Sequence, residues 1–124
     1  MENFHEGKVI RLRIENGILF GQYMVETVDL KTAILATDER LRFTKGIEYP
    51  TLADYSKVKV TTKEARDYFT QQSASSDLKA IAVLISSPVG SIIGNFFSKI
   101  NKPPYPFKIF SDAEKAKEWL KNYV

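Results

Sequence analysis

The chain has 124 residues, with 18 Lys and Arg, 15 Asp and Glu, a net charge of +3 and no cysteine. This length suits one domain and suffices to bury a core without disulfides. The composition excludes intrinsic disorder, collagen-like sequence and low-complexity sequence. Because cysteine is absent, disulfides, thiolate nucleophiles and cysteine-based zinc or iron–sulfur sites are excluded as well.

The charge pattern predicts a protein that does not bind nucleic acid. The basic excess is small, and between positions 114 and 121 three lysines alternate with two glutamates, as on a solvated helix face. Nucleic-acid binders instead cluster their basic residues. The longest apolar run, residues 80–85, is too short to insert into a membrane. The first residues do not read as a signal peptide, so the expected location is the cytoplasm.

The first predicted elements are a β-hairpin and a helix. Residues 9–14 and 18–24 read as strands, and Asn16-Gly17 between them is the preferred sequence of a two-residue type I′ turn. From 27 to 43 the apolar residues recur with helical spacing. The stripe expected to face the core consists of Leu30, Ala33, Ile34, Thr37 and Leu41.

The rest of the chain alternates strands and helices. Strands are predicted over 47–55, 79–86 and 107–110, and helices after 61, over 89–100 and after 111. Capping-box spacing predicts that Thr61 and Ser111 begin the first and last of these helices. The order ββαβαβαβα predicts an α/β fold with a mixed sheet of about five strands, in which an N-terminal hairpin precedes parallel strands.

This element order, together with the C-terminal segment FSDAEKAKEWL over residues 110–120, resembles the STAS superfamily. Its members include bacterial anti-sigma-factor antagonists, cytosolic domains of sulfate transporters and small stand-alone bacterial proteins. The matching C-terminal pattern consists of Phe110, Asp112, Ala116, Trp119 and Leu120. The resemblance covers nearly the whole chain. It implies one STAS-like domain over 1–124, a non-enzymatic interaction or regulatory module, with a protein partner or a second copy forming a homodimer.

The resemblance also implies a phosphorylation site. STAS antagonists carry a phosphorylatable Ser or Thr where a helix begins after a central strand, and the corresponding positions are Thr61 and Thr62. Free N–H groups at a helix start would stabilise a phosphate. Such sites are marked by an Asp before the phosphorylated residue and a Gly after it, and this sequence has neither. A threonine at a helix start is also an ordinary N-cap, and the sequence leaves both roles open.

A second candidate site lies where the strand over 79–86 is followed by the predicted helix. Hydroxyl and glycine residues cluster there: Ser86, Ser87, Gly90 and Ser91. At the carboxyl end of a parallel strand such residues could hold an anion or small ligand, or they could simply begin the helix.

The helix over 89–100 carries a wide apolar stripe. Its largest members are Ile92, Ile93, Phe96 and Phe97. The stripe belongs either to the core or to an apolar surface for a partner or ligand. The alternative function is therefore that of a small-ligand or lipid-binding protein with an apolar pocket under this helix.

Catalytic chemistry has little support in the sequence. The one histidine, His5, lies near the first residue and is expected on the surface. The paired carboxylates have no His, Lys or metal-ligand companion at a useful spacing. We therefore expect no catalytic residue, no cofactor and no metal site.

Overall fold

The computed structural model describes residues 4–69, 71, 78–86 and 105–124, and every structural statement below concerns these residues. The elements in chain order are β1 (Phe4–Glu6), β2 (Ile10–Glu15), β3 (Ile18–Tyr23), β4 (Thr27–Val28), α1 (Leu30–Thr44), β5 (Tyr49–Asp54), β6 (Val60–Thr61), α2 (Lys63–Phe69), β7 (Leu78–Leu84), β8 (Phe107–Phe110) and α3 (Ala113–Leu120). A 3₁₀ turn, Lys121–Tyr123, follows α3.

The main sheet has six strands in the order β1-β2-β3-β5-β7-β8. β1, β2 and β3 are antiparallel, whereas β3, β5, β7 and β8 run parallel. This confirms the predicted mixed α/β sheet with an N-terminal hairpin. The additional strand is β1, which pairs with β2 at the edge. β4 and β6 form a separate two-stranded parallel pair.

The hairpin between β2 and β3 follows from its two loop residues. Asn16 has φ 53° and Gly17 has φ 77°, and a two-residue type I′ turn needs a positive φ at both positions. The turn sets the register in which Ile10 lies opposite Tyr23 and Leu12 opposite Gly21. The local sequence therefore determines the geometry of the sheet's antiparallel part.

β5 lies between β3 and β7, although it contains a proline. Pro50 is the second residue of the strand and is buried, and the pairing with β7 shifts register between Tyr49 and Pro50. Proline cannot donate a ladder hydrogen bond, so it is tolerated inside a sheet only near a strand start or an irregularity. The prediction that Pro50 lies near a strand start is confirmed.

The two faces of the sheet carry separate apolar clusters. The cluster beneath α1 and α2 includes Leu12, Leu19, Tyr23, Val28, Ala33, Ala36, Tyr55, Ala65 and Val83. The cluster beneath α3 comprises Ile18, Leu52, Ala80, Ala82, Ala116 and Leu120. β7 contributes to both clusters, which agrees with the predicted strand covered on both faces.

The helix predicted over 27–43 begins later because Asp29 caps it. An Asp29 carboxylate oxygen accepts the backbone N–H of Thr32 at 2.8 Å, and the two preceding residues form β4 instead. α1 then runs to Thr44 and ends where Lys45 adopts a left-handed conformation with φ 52°. A side-chain acceptor at the N-cap is the usual reason why a helix begins at a particular residue.

The face of α1 that meets the sheet agrees with the predicted stripe only in part, at Ala33 and Thr37. Its buried residues are Ala33, Ala36, Thr37, Arg40 and Thr44. Leu30 and Ile34, both expected in the core, are 40% and 45% exposed, and Leu41 is only partly buried. The small residues face inward and let the helix approach the sheet closely, so the large apolar side chains lie on its outer side.

The predicted cap of α3 is wrong by one residue. Asp112, rather than Ser111, begins the helix, because its carboxylate accepts the N–H groups of Glu114 at 2.9 Å and Lys115 at 3.3 Å. An ionised carboxylate that faces the first free N–H groups of a helix is a stronger acceptor there than a hydroxyl. The amphipathic pattern of the helix itself is confirmed, with Ala116 and Leu120 buried.

Candidate interaction surface

Thr61 and Thr62 have different surroundings. Thr61 lies in β6 opposite Val28, is 4% exposed, and its hydroxyl has no hydrogen-bond partner among the described residues. The Thr62 hydroxyl accepts the backbone N–H of Ala65 at 3.2 Å. Thr62 is therefore the N-cap of α2, and the capping role predicted for Thr61 is wrong, because the β4–β6 pairing holds Thr61 in the strand. Phosphorylation of either residue stays a prediction.

Ser86 is an exposed residue just after β7. Its Oγ donates a hydrogen bond to the backbone oxygen of Ser56 at 3.0 Å, and the Ser56 N–H donates to Asp54 at 2.8 Å. These contacts join the loops that follow β5 and β7 at the carboxyl edge of the sheet. The companion residues predicted for an anion or ligand site, Ser87, Gly90 and Ser91, lie outside the described residues.

The apolar stripe predicted for the helix over 89–100 also falls outside the described residues. Its members are Ile92, Ile93, Phe96 and Phe97. The pocket predicted beneath that helix is therefore still a prediction.

A buried tyrosine pair at the carboxyl edge of the sheet was not predicted. The Tyr23 and Tyr55 rings lie 4.7 Å apart between centroids. Burial raises the pKa of Tyr23 to about 12, partly offset by a hydrogen bond from Tyr55 and by the nearby Arg40 guanidinium. Burial likewise raises the pKa of Tyr55 well above its usual value. Both phenols are therefore protonated at neutral pH and do not act as bases. Tyr55 ends one predicted strand and Tyr23 is the last residue but one of another, which was the available sequence signal.

An open apolar groove runs along the outer side of α1. It has a volume of about 620 Å³ and is lined by Leu30, Lys31, Ile34, Leu35, Thr37, Asp38, Leu41 and Tyr68. We call it the α1 groove. α1 forms most of its wall, and Tyr68 of α2 borders it. An apolar groove with a few charged residues at its rim is typical of a site that receives a helix.

Two opposite charges line the α1 groove. Lys31 and Asp38 are seven residues apart, hence on the same side of the helix. Asp38 also forms an exposed ion pair with Arg42 at 2.8 Å, an arrangement that contributes little to stability. Lys31 is exposed, and Asp38 keeps 48% of its side chain exposed although it pairs with Arg42, so both can be reached by a molecule that binds in the groove.

A second, smaller cavity of about 270 Å³ lies on the outer face of the antiparallel strands, beside α3. Among its lining residues are Phe4, Arg11, Arg13 and Phe20. Its cations already have partners in the chain. The Arg13 guanidinium lies 4.4 Å from the Phe20 ring centroid, and the Arg11 Nε lies 2.7 Å from a Glu6 carboxylate oxygen. This surface therefore offers fewer unused groups than the α1 groove.

The described residues contain no group of three His, Cys, Asp or Glu side chains that could hold a metal ion. His5 is exposed on β1, with its ring 6.1 Å from that of Phe43. In the same part of the chain, no helix is long and apolar enough to cross a membrane.

Comparison with solved structures identifies the class of fold. An uncharacterized protein of the DUF3478 family from Shewanella loihica PV-4, described as having a SpoIIAA-like fold, matches with a TM-score of 0.62 and 19% identity. The match covers 90% of this chain and 91% of that one. The chain therefore has a SpoIIAA-like, that is STAS-like, fold.

The particular family follows from the sequence. The profile of a domain of unknown function, DUF7793, matches residues 12–124, and the chain belongs to this family. A protein of unknown function from Arthrobacter sp. FB24 is 27% identical over 88% of this chain and 90% of its own, with a TM-score of 0.34 that is too low to inform on the fold. Comparison with curated proteins gives no match.

Proposed function

We propose that this chain is a single, non-enzymatic, STAS-like interaction domain over residues 1–124 that acts in the cytoplasm. In this proposal it binds a protein partner through the α1 groove. The observation that carries the proposal is the outward position of Leu30 and Ile34, which are 40% and 45% exposed. These are large apolar residues of the longest described helix, and the described fold does not cover them.

The exposed stripe is costly for an isolated domain. Complete burial of a Leu or Ile side chain contributes about 1.5–3 kcal/mol. Covering the exposed part of Leu30 and Ile34 would therefore contribute on the order of 1 kcal/mol each. Helix formation needs no apolar residue at either position, since Lys or Glu has a similar or better helix propensity. Contiguous exposed apolar surface of this kind usually marks an interaction site.

The described chemistry supports a binding role over a catalytic one. The most perturbed groups, Tyr23 and Tyr55, are buried and held in the neutral form. The described ion pairs join exposed side chains on the surface, for example Lys59 with Glu26 and Lys63 with Asp67. A catalytic site would instead place a nucleophile beside a base in an accessible pocket.

Photo-crosslinking in the host cell tests this proposal. A benzophenone amino acid is placed at position 34 or, as the matched control, at Ile47, which is 54% exposed and does not line the groove. We expect a discrete adduct from position 34 that is lost when Leu41→Lys is added to the same chain. The proposal is refuted if position 34 gives no adduct, or if both positions give the same adducts.

A further inference from the structure

We infer that the α1 groove receives α1 of a second copy of this chain, in an antiparallel pair about a two-fold axis. The inference rests on the proposed function, because it names the partner that occupies the same groove. It is carried by the position of the two charges relative to the apolar stripe. Two-fold dimers are the commonest oligomers, and each of their contacts occurs twice.

The spacing of the charges suits an antiparallel pair. In a helix of 1.5 Å rise per residue, Lys31 and Asp38 are separated by about 10 Å along the axis and lie on one flank. A two-fold axis perpendicular to antiparallel helices brings identical flanks together. An axis between Ile34 and Leu35 then places Lys31 of each copy opposite Asp38 of the other.

The apolar residues suit the same axis. Ile34 meets its counterpart near the centre, and Leu30 comes within about 3 Å, along the axis, of the level of Leu41 in the second copy. The interface would therefore have an apolar centre and, along one flank of it, an ion pair towards each end. Flanking charges of this kind select orientation and partner in helix pairs.

In a parallel pair of α1 helices, Lys31 and Asp38 would make no contact across the interface. Rotation about an axis parallel to the helices would place the charged flanks on opposite sides of the interface. Lys31 and Asp38 would then face solvent rather than each other. Lys31 forms no close ion pair with a described residue, although its charge helps to lower the pKa of Asp29, and the antiparallel arrangement would give it a direct partner in Asp38.

Sedimentation velocity with charge-reversed variants tests the pairing. The unmodified chain, at about 10 μM to 1 mM, is expected to show concentration-dependent dimers. Lys31→Glu or Asp38→Lys alone replaces two attractions with two repulsions and is expected to weaken dimerisation about tenfold or more. An equimolar mixture of the two variants restores both attractions in a heterodimer, and the double variant restores them in a homodimer. Lys57→Glu, an exposed change outside the groove, is the control.

The outcomes separate this inference from the proposed function. The pairing is supported if dimerisation is restored in the equimolar mixture and in the double variant. It is overturned if the chains stay monomeric both in the mixture and in the double variant. Circular dichroism of each variant shows whether α1 is still folded. In the crosslinking experiment, an adduct of twice the 14.1 kDa chain mass supports self-association. An adduct of another mass overturns self-association and leaves the proposed function standing, and no adduct at position 34 overturns both.

Discussion

Replacement of Thr61 by Val is expected to stabilise the fold, although it removes a polar group. Thr61 is 4% exposed, and its hydroxyl has no partner among the described residues. Burying a hydroxyl without a hydrogen bond costs about 1–3 kcal/mol in protein mutational data. Val has nearly the same shape and keeps the branched side chain that suits β6, so most of this cost should be recovered.

The neighbouring residue is the control for this prediction. Thr62→Val removes the hydroxyl that accepts the Ala65 N–H at 3.2 Å, and loss of such a cap costs about 1 kcal/mol. The same substitution at adjacent positions should therefore change the free energy of unfolding with opposite signs. For a domain of this size, 1 kcal/mol corresponds to about 4 °C in the midpoint temperature.

Urea unfolding followed by circular dichroism measures both free energies of unfolding. We expect Thr61→Val to raise the value by about 1 kcal/mol and Thr62→Val to lower it by about the same amount. If Thr61→Val destabilises the fold by 1 kcal/mol or more, its hydroxyl has a partner, such as a bound water, and the reasoning fails.

Three further predictions concern stability. Asp112→Ala should lower the free energy of unfolding by about 1 kcal/mol and Ser111→Ala by much less; equal effects in urea unfolding would contradict the assigned cap. Between pH 10 and about 12, stability should fall as pH rises, because Tyr23 ionises later in the folded chain than in the unfolded one; a Tyr23→Phe variant that loses stability just as steeply would argue against this. Gly17→Ala should cost about 1–2 kcal/mol at its positive φ, and an unchanged thermal midpoint would exclude the turn geometry described.

The sequence alone predicted the structure correctly where that structure depends on residues adjacent in the chain. Asn16-Gly17 specified the turn, and strand periodicity specified the strands beside it. β1 was missed because a three-residue strand has no recognisable period, and its pairing with β2 depends on contacts made elsewhere. The two capping errors were each one residue, since several side chains near a helix start can accept an N–H.

The orientation of α1 could not be read from the sequence. Apolar spacing predicted a stripe that contains Ala33 and Thr37, which are buried, but also Leu30 and Ile34, which are exposed. Ala33 and Ala36 face the sheet because their small size permits a close approach, which is a property of the packed structure. That mismatch between the most apolar face and the buried face is what identifies the α1 groove.

The candidate tyrosine pair shows a second limit of the sequence. Tyr23 and Tyr55 are far apart in the chain, and the parallel pairing of β3 and β5 brings their rings together. Each tyrosine alone reads as an ordinary residue at or near a strand end. Only the strand order shows that the two ends are neighbours.

The position of β5 between two parallel neighbours also has a kinetic consequence. The β2–β3 hairpin closes over two residues, whereas each parallel pairing must bring together segments separated by a long crossover, and such closures are slow. The hairpin should therefore form early, with β5 and then β7 adding to it. Amide hydrogen exchange in the native state should be slowest in β2, β3, β5 and β7, which have neighbours on both sides, and fastest in the three-residue edge strand β1. The chain would then unfold from its edges inward.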